Sequence, residues 1–355
     1  MSTLCQIMLK LVIHLLSSFE EHFGVQSNRT ITGLSYTNPP SLSFDINNCN
    51  FYDMRQGAIS FDTNENINTS IEECVFYKCR NGRYGGAICY YVENAQIAIK
   101  KICGHSCYIY RGGGYCDYQF AYISLSNDKI NHFMDSSIHG CPPDHSESRS
   151  YGCFIQGGKQ KIVSTNISKA NGYDFSALYS DYSRGFTFSY NTIANSVSKR
   201  NHIIFFHNRY SNDPYNITYC NIVNNIDAAT GGIIITIGVY AFRDCILMQN
   251  FVNLFVINSI TTIQRCYIQH FGTVYTKSNP TVLDVKLSDG LTSTYTLMHF
   301  ATQVCSIEYT INTPHRSYPP EPTSCELFSH QDGATLLIES IFHVLLTTQL
   351  NIIAY

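Results

Sequence analysis

Residues Tyr215–Thr236 read YNITYCNIVNNIDAATGGIIIT and hold one complete copy of a unit that recurs along most of the chain. Ile217 is followed three residues later by Cys220, and Ile222 comes two residues after that. The β-branched run Ile233–Ile235 closes the copy. This order of apolar and small positions predicts a fold, whereas nothing in it identifies a reaction.

The unit repeats in a constant register. With Cys220 as position zero, successive copies begin 21 to 35 residues apart, with a mean of about 27. Periods of roughly 20–50 residues indicate a repeat architecture. Position zero holds Cys49, Cys74, Lys101, Ser136, Thr165, Asn191, Cys220, Cys245 and Cys266. Three residues earlier stand Ile46, Ile71, Ala98, Phe133, Ile162, Phe188, Ile217, Phe242 and Ile263. Two residues later stand Phe51, Phe76, Cys103, Ile138, Ile167, Ile193, Ile222, Leu247 and Ile268.

The spacing of the two apolar columns predicts a bend in every unit. The columns are five residues apart, and an odd spacing along a straight strand places side chains on opposite faces. Both columns can face one core only if the chain bends at or next to position zero. With the apolar run that follows, each unit predicts three short strands and no helix.

Repeated units of three strands predict an all-β fold, a right-handed parallel β-helix of about nine coils. A β-sandwich is the alternative fold. We consider it less consistent with the sequence, because its strands would alternate apolar and polar residues without a fixed register.

The chain divides into three predicted regions. Residues 1–40 form an N-terminal cap or signal segment, since the apolar stretch Cys5–Phe19 fits either a capping helix or a signal peptide. Residues 41–275 form the β-helix. Residues 276–355 contain a Pro-rich linker and the apolar tail 334–355, which fits a packed terminal element or a membrane anchor.

The composition excludes one class of partner. Charged residues make up 14 % of the chain and the formal net charge is −3. Proteins that bind nucleic acids carry basic patches, so we expect no nucleic-acid partner. No cofactor motif is present either.

The cysteines at position zero form a predicted structural ladder. Stacked side chains place Cβ atoms about 4.8 Å apart, which exceeds the ~3.8 Å that a disulfide prefers. We therefore expect free, buried thiols that pack as small apolar groups, and disulfides only among other cysteines such as Cys305 and Cys325. The predicted ladder consists of Cys49, Cys74, Cys220, Cys245 and Cys266, with Ile217 and Ile222 beside it.

Four sequons make N-glycosylation a further expectation. They begin at Asn28, Asn68, Asn166 and Asn216. Asn166 and Asn216 each precede an inward apolar residue, so their side chains are predicted to point outward.

The best metal candidate in the sequence is Cys103-Gly-His-Ser-Cys107 with Cys116 nearby. Structural zinc sites need four ligands at recognisable spacings, and packing in the ladder explains these cysteines better. We therefore predict no metal site.

Short motifs carry a family resemblance. Gly85-Gly-Ala-Ile88 matches a GGA[ILV] motif, Gly231-Gly-Ile-Ile234 is a variant of it, and Ile222-Val-Asn-Asn225 is a variant of FxxN. In these motifs the chain resembles the β-helices of polymorphic outer-membrane proteins of intracellular bacteria and of protist surface proteins. The resemblance covers roughly residues 41–275 and implies a surface protein of adhesin type with no catalytic residues.

Pectin lyases and polygalacturonases share this fold, so an enzyme is the alternative. Their chemistry needs acids clustered on one outer face, and the chain lacks NTD, DD and RxK segments. We therefore predict a non-enzymatic β-helix at the cell surface or secreted, which binds a host or matrix protein or glycan. An intracellular structural repeat protein is the second alternative, because free thiols suit the cytoplasm.

Overall fold

A computed structural model describes fourteen segments of the chain, which consist of strands and turns without a helix. These segments are residues 30–31, 43–64, 66–82, 84–110, 117–125, 128–141, 150–172, 174–207, 214–228, 232–251, 254–257, 261–271, 275–276 and 281–287.

The strands are short and follow one another at the intervals of the repeat. In chain order they are β1 (Thr30–Ile31), β2 (Ser43–Asn47), β3 (Asn50–Tyr52), β4 (Ile59–Thr63), β5 (Asn68–Glu72), β6 (Val75–Tyr77), β7 (Arg80–Asn81), β8 (Ile88–Val92), β9 (Gln96–Lys100), β10 (Cys103–His105), β11 (Tyr108–Ile109), β12 (Asp117–Ser124), β13 (Ile130–Met134), β14 (Ser137–His139), β15 (Ser150–Gln156), β16 (Lys159–Val163), β17 (Asn166–Ser168), β18 (Asn171–Gly172), β19 (Leu178–Asp181), β20 (Gly185–Ser189), β21 (Thr192–Ala194), β22 (Val197–Ser198), β23 (Ile204–His207), β24 (Tyr215–Thr218), β25 (Asn221–Val223), β26 (Ile226–Asp227), β27 (Ile234–Ile237), β28 (Tyr240–Arg243), β29 (Ile246–Phe251), β30 (Phe255–Ile257), β31 (Thr261–Gln264), β32 (Tyr267–Phe271), β33 (Tyr275–Thr276), β34 (Thr281–Leu283) and β35 (Lys286–Leu287).

Three parallel sheets run along the molecule, and the chain visits them in turn. Sheet A has 11 strands in the order β1-β2-β5-β9-β13-β16-β20-β24-β28-β31-β34. Sheet B has 9 strands, from β4 to β33, and sheet C has 13, including β3, β6, β10, β14, β17, β21, β25 and β29. A coil therefore runs from sheet A through sheet C to sheet B and returns to sheet A one layer further on.

This arrangement confirms the predicted right-handed parallel β-helix.

Equivalent apolar residues lie directly over one another in sheet A. Ile46 pairs with Ile71, and Ile217 lies between Phe188 and Phe242. The pairing aligns one column of register partners: Ile31, Ile46, Ile71, Ile99, Phe133, Ile162, Phe188, Ile217, Phe242, Ile263 and Val282. The members of this column between Ile46 and Ile263 are buried in one hydrophobic core.

The predicted register is wrong by one residue in the third coil. The structure pairs Ile99, and not Ala98, with Ile71. The bend lies at Lys101, which moves position zero to Ile102. Ile97, Ala98 and Ile99 are all apolar, so the sequence fits either register, and the pairing of β9 with β5 decides between them.

The same shift places Gly104, and not Cys103, at the inward position of sheet C. A Cβ atom on Gly104 would lie 2.2 Å from the ring of Phe120. The Phe120 ring packs edge-on against Phe76, with centroids 5.8 Å apart. A phenylalanine from sheet B thus fills the space that an isoleucine or phenylalanine occupies in other coils.

A left-handed residue forms the predicted bend, one position before position zero. Tyr219, for example, has φ 55°. Non-glycine residues visit this region rarely, and Asn and Asp do so most readily. The backbone N–H of Tyr219 donates to the Arg243 carbonyl of the next coil at 3.1 Å. The equivalent residues are Asn48, Glu73, Lys101, Asp135, Ser164, Tyr190, Tyr219, Asp244, Arg265 and Asp284.

A second left-handed bend follows five residues after the first. Asn224, with φ 53°, immediately precedes Asn225. The FxxN variant at Ile222–Asn225 therefore combines an inward apolar residue with the residue that closes the second bend. The equivalent bend residues are Asp53, Lys78, Ser106, Gly140, Lys169, Asn195, Asn224 and Gln249.

The paired strands extend past both predicted bounds of the β-helix. β1 pairs with β2 before residue 41, and β34 and β35 pair with β31 and β32 after residue 275. The predicted N-terminal helix and the tail 334–355 lie outside the described residues. None of the described residues belongs to a helix of the length and hydropathy needed to span a bilayer.

A matched pair of substitutions tests the register. Ile217 is fully buried, whereas its neighbour Asn216 is exposed and accepts a hydrogen bond from Arg243 at 2.8 Å. Ile217→Asp puts an unpaired charge into the core and should prevent folding or cost several kcal/mol. Asn216→Asp should change the free energy of unfolding by less than about 1 kcal/mol. Urea unfolding followed by circular dichroism measures both, and equal tolerance would show that the inward column is misassigned.

Candidate binding face

The predicted cysteine ladder lies on the inner side of the first bend. Cys49, Cys74, Cys220, Cys245 and Cys266 are all free and buried. Each thiol from the second coil onward lies near a carbonyl of the preceding coil; the Sγ atom of Cys74 is 3.6 Å from the Ile46 oxygen, and that of Cys220 is 3.7 Å from the Phe188 oxygen. Burial raises the pKa of Cys74 well above its usual value, so this thiol stays protonated and unreactive.

Asparagines replace the cysteines in some coils and make stronger contacts. Asn191 donates to the Ile162 carbonyl at 2.8 Å and accepts from the Thr165 backbone N–H at 2.8 Å. Asn225 does the same at the second bend, with Ile193 and Ser196. These amides satisfy backbone groups that the bends leave unpaired, so the ladder has a structural role.

The four sequons differ in accessibility. Asn216 is exposed and Asn68 is half-buried. Asn166 lies on the outer side of sheet C, as expected, but only 4 % of its surface is exposed. The folded chain therefore does not offer Asn166 for glycosylation, and Asn28 lies outside the described residues.

Cys103–Cys107 is described in full, whereas Cys116 of the same metal candidate lies outside the described residues. Cys103 is in a disulfide bond, and Cys107 is fully buried among the inward thiols. Within the described residues, no group of three or more His, Cys, Asp and Glu side chains is placed to hold a metal ion.

The most distinctive surface is a row of aromatic rings on the outer face of sheet B, which we call the aromatic strip. It consists of Tyr122, Phe154, Tyr179 and Phe205. These residues are register partners on consecutive coils. Successive ring centroids are 5.3, 4.9 and 4.6 Å apart, and the planes are inclined by 29°, 29° and 31°.

Further rings from the turns that precede these strands widen the strip. Tyr84 stacks on Tyr122 at 5.1 Å, and Phe175 contacts both Tyr179 and Phe205 at 5.0 Å. Ring faces point along the stack because the rings follow the coil spacing of ~4.8 Å. The strip therefore presents ring edges and tyrosine hydroxyls to the solvent.

A polar column runs beside the aromatic strip, two residues further along each strand. Ser124 donates to Gln156 at 2.9 Å, and Gln156 lies 3.5 Å from Asp181. The Asp181 carboxylate is 2.8 Å from Nδ1 of His207. Burial raises the pKa of the nearby Tyr122 to about 12, so its hydroxyl remains a neutral donor and acceptor at physiological pH.

The repeat pattern in the sequence does not reveal this face. Phe154 falls in the third apolar run of its unit, which predicts an inward side chain, but Cys153 and Ile155 are the core residues there and Phe154 points outward. The strip residues are separated by 25 to 32 positions in the chain. These residues can be aligned only when the strand register of sheet B is known, and the sequence does not determine that register.

Carboxylates from adjacent coils approach each other elsewhere, on sheet A. Asp45 and Glu72 are 4 % and 5 % exposed, and Glu72 pairs with Lys101 at 3.2 Å. Burial, and then the charge of Glu72, raises the pKa of Asp45 to about 7. These two acids are shielded and lie on a different sheet from the aromatic strip.

Comparison with known proteins gives no family: no protein-family model, no curated protein and no solved structure matches the chain.

Asp45 predicts a pH dependence of stability. Its pKa is higher in the folded chain than the ordinary 3.8, so the folded state binds more protons between these values and stability falls as the pH rises from about 4 to about 7. Asp45→Asn removes this loss, so the variant should gain stability over the wild type at pH 8 and little at pH 4. Urea titrations at both pH values measure the difference.

The control for this experiment is Asp62→Asn, which alters an exposed carboxylate on sheet B. A gain that is the same at both pH values, or equal in the two variants, would contradict the assignment of a buried charge to Asp45.

Proposed function

We propose that this protein is a non-enzymatic, adhesin-type binding scaffold that is secreted or displayed at the cell surface. In this proposal the aromatic strip binds an extended partner that lies along sheet B. The observation that carries the proposal is the run of outward aromatic residues on four consecutive coils of sheet B.

The chemistry of the strip favours binding over a purely structural role. Exposed apolar patches on soluble proteins mark interaction sites. Phe154 and Phe205 are only 7 % and 8 % exposed, so the accessible part of this face consists of the half-buried Tyr122 and Tyr179 together with Tyr84 and Tyr91, which are 40 % and 43 % exposed. Aromatic side chains dominate the energetics of binding surfaces because they bury large areas with few rotatable bonds.

The orientation of the rings favours a hydroxyl-rich partner. The ring faces are used in stacking, so a ligand meets the electropositive edges and the phenol hydroxyls. The polar column adds the half-buried amide of Gln156, which is held in place by the buried pair Asp181–His207. A glycan chain has the alternating C–H and O–H groups that match such a face, and a protein segment is the alternative partner.

The residues beside Asp181 argue against a polysaccharide-cleaving enzyme. Such chemistry uses two or more acids on one outer face. In the polar column the register neighbours of Asp181 are Gln156 and His207. The adjacent-coil acids Asp45 and Glu72 are buried on sheet A.

The proposed location rests on the sequence motifs and on one sequon. The GGA[ILV] and FxxN motifs resemble those of surface β-helices, and the Asn216 sequon is exposed. The ten free cysteines among the described residues are also compatible with the alternative of an intracellular structural protein. Labelling of intact cells expressing the tagged full-length chain separates the two locations.

Binding by the strip is tested with Tyr122→Ala and Tyr179→Ala in the full-length chain. Both substitutions remove a hydroxyl and a ring from the strip, so binding to any glycan or matrix protein found by array screening should weaken at least about tenfold, because aromatic anchors carry much of the binding energy. Surface plasmon resonance on the screened ligand measures the loss.

The matched control is Tyr190→Ala. Tyr190 is 40 % exposed and stacks on Tyr219 at 5.0 Å, but it belongs to the first bend and lies off the strip. Equal loss in the control and the strip variants would contradict the assigned face. Turnover of polygalacturonate or another glycan by the pure protein would overturn the non-enzymatic function.

A further inference from the structure

Two histidines are stacked on the outer face of sheet C, away from the aromatic strip. His105 and His139 are register partners on adjacent coils, and both are half-buried. Their ring centroids are 5.3 Å apart with an interplanar angle of 19°. Tyr77 covers the other face of His105 at 5.4 Å. The stack therefore holds the two imidazoles side by side in the same orientation.

Serine hydroxyls define which nitrogen of each ring is engaged. Nδ1 of His105 lies 2.9 Å from Oγ of Ser106, and Nδ1 of His139 lies 3.0 Å from Oγ of Ser168. When Nδ1–H donates to the serine, Nε2 carries the lone pair. Metal-binding histidines commonly donate their second ring N–H to such a partner, which fixes the tautomer and the ring orientation.

Burial favours the neutral form of both rings. Burial, followed by the charges of His139, Lys78 and Lys169, lowers the pKa of His105 to about 4. Burial and then Lys169 lower the pKa of His139 as well. A metal ion binds the neutral imidazole, so protons compete with it here less than at an ordinary surface histidine.

We propose that His105 and His139 form a two-histidine site for a divalent transition-metal ion that favours imidazole, such as Ni²⁺, Cu²⁺ or Zn²⁺. Each ring supplies Nε2, and water completes the coordination, since no group of three metal-binding side chains is present in the described part of the chain. This site is independent of the aromatic strip and of the function proposed for it.

The geometry requires a small closure of the pair. Metal–nitrogen distances of about 2.0–2.1 Å place two ligating nitrogens roughly 3–4 Å apart. The centroids are 5.3 Å apart, so the outer edges of the rings must tilt towards each other. The amino group of Lys78 lies 5.0 Å from the Tyr77 centroid, and its charge opposes a bound cation. We therefore expect modest affinity.

Calorimetric titration of the full-length chain with Ni²⁺ alone, and separately with Zn²⁺, tests the site. The wild type should show one binding event that weakens at least tenfold in His105→Gln and in His139→Gln, because each variant leaves a single imidazole. Circular dichroism confirms that the variants fold. His202→Gln is the control, since His202 is half-buried but its Nδ1 contacts the Gly232 carbonyl.

Three outcomes would overturn the site. They are no binding in the wild type, unchanged affinity in both pair variants, and an equal loss in the His202 control.

Discussion

The structure depends on one constraint, the parallel pairing of each coil with the next in a fixed register. This pairing provides hydrogen-bond partners for backbone N–H and C=O groups in the strands and in the bends. The N–H of Tyr219, within a bend, donates to the carbonyl of Arg243 in the following coil. Because the left-handed bend residues recur at the same place, both flanking strands direct apolar side chains inward. The register therefore determines the core, the ladder of Cys and Asn side chains and every row of outward residues.

The sequence predicts the parts of this fold that repeat with the same chemistry. The column through Ile46, Ile71, Ile217 and Ile263 could be read directly, and the odd spacing to the second column required a bend. The prediction failed where a local pattern fits two registers, as at Ile97–Ile99, and where a distant side chain replaces a local one, as Phe120 does above Gly104. In both places contacts between coils, and not the local sequence, determine which side chain fills the core.

The sequence does not reveal the two candidate binding faces, for a related reason. Tyr122, Phe154, Tyr179 and Phe205 look like isolated aromatic residues until sheet B aligns them. His105 and His139 are 34 residues apart in the chain and 5.3 Å apart as rings. In a solenoid, one outward residue from each coil forms a continuous row. The members of such a row are separated in the sequence by intervals that vary with the lengths of the loops. The same property makes a long face suitable for an extended partner.

The most direct test of the stacked register is a series of distances along one outward column of sheet A. Spin labels attached through an unnatural amino acid at Thr262, paired in turn with Thr187, Lys161 and His132, lie three, four and five coils apart. Stacked coils predict distances that rise by about 4.8 Å per coil, to roughly 14, 19 and 24 Å. Distances that do not increase in this order would contradict the β-helix and everything inferred from its faces.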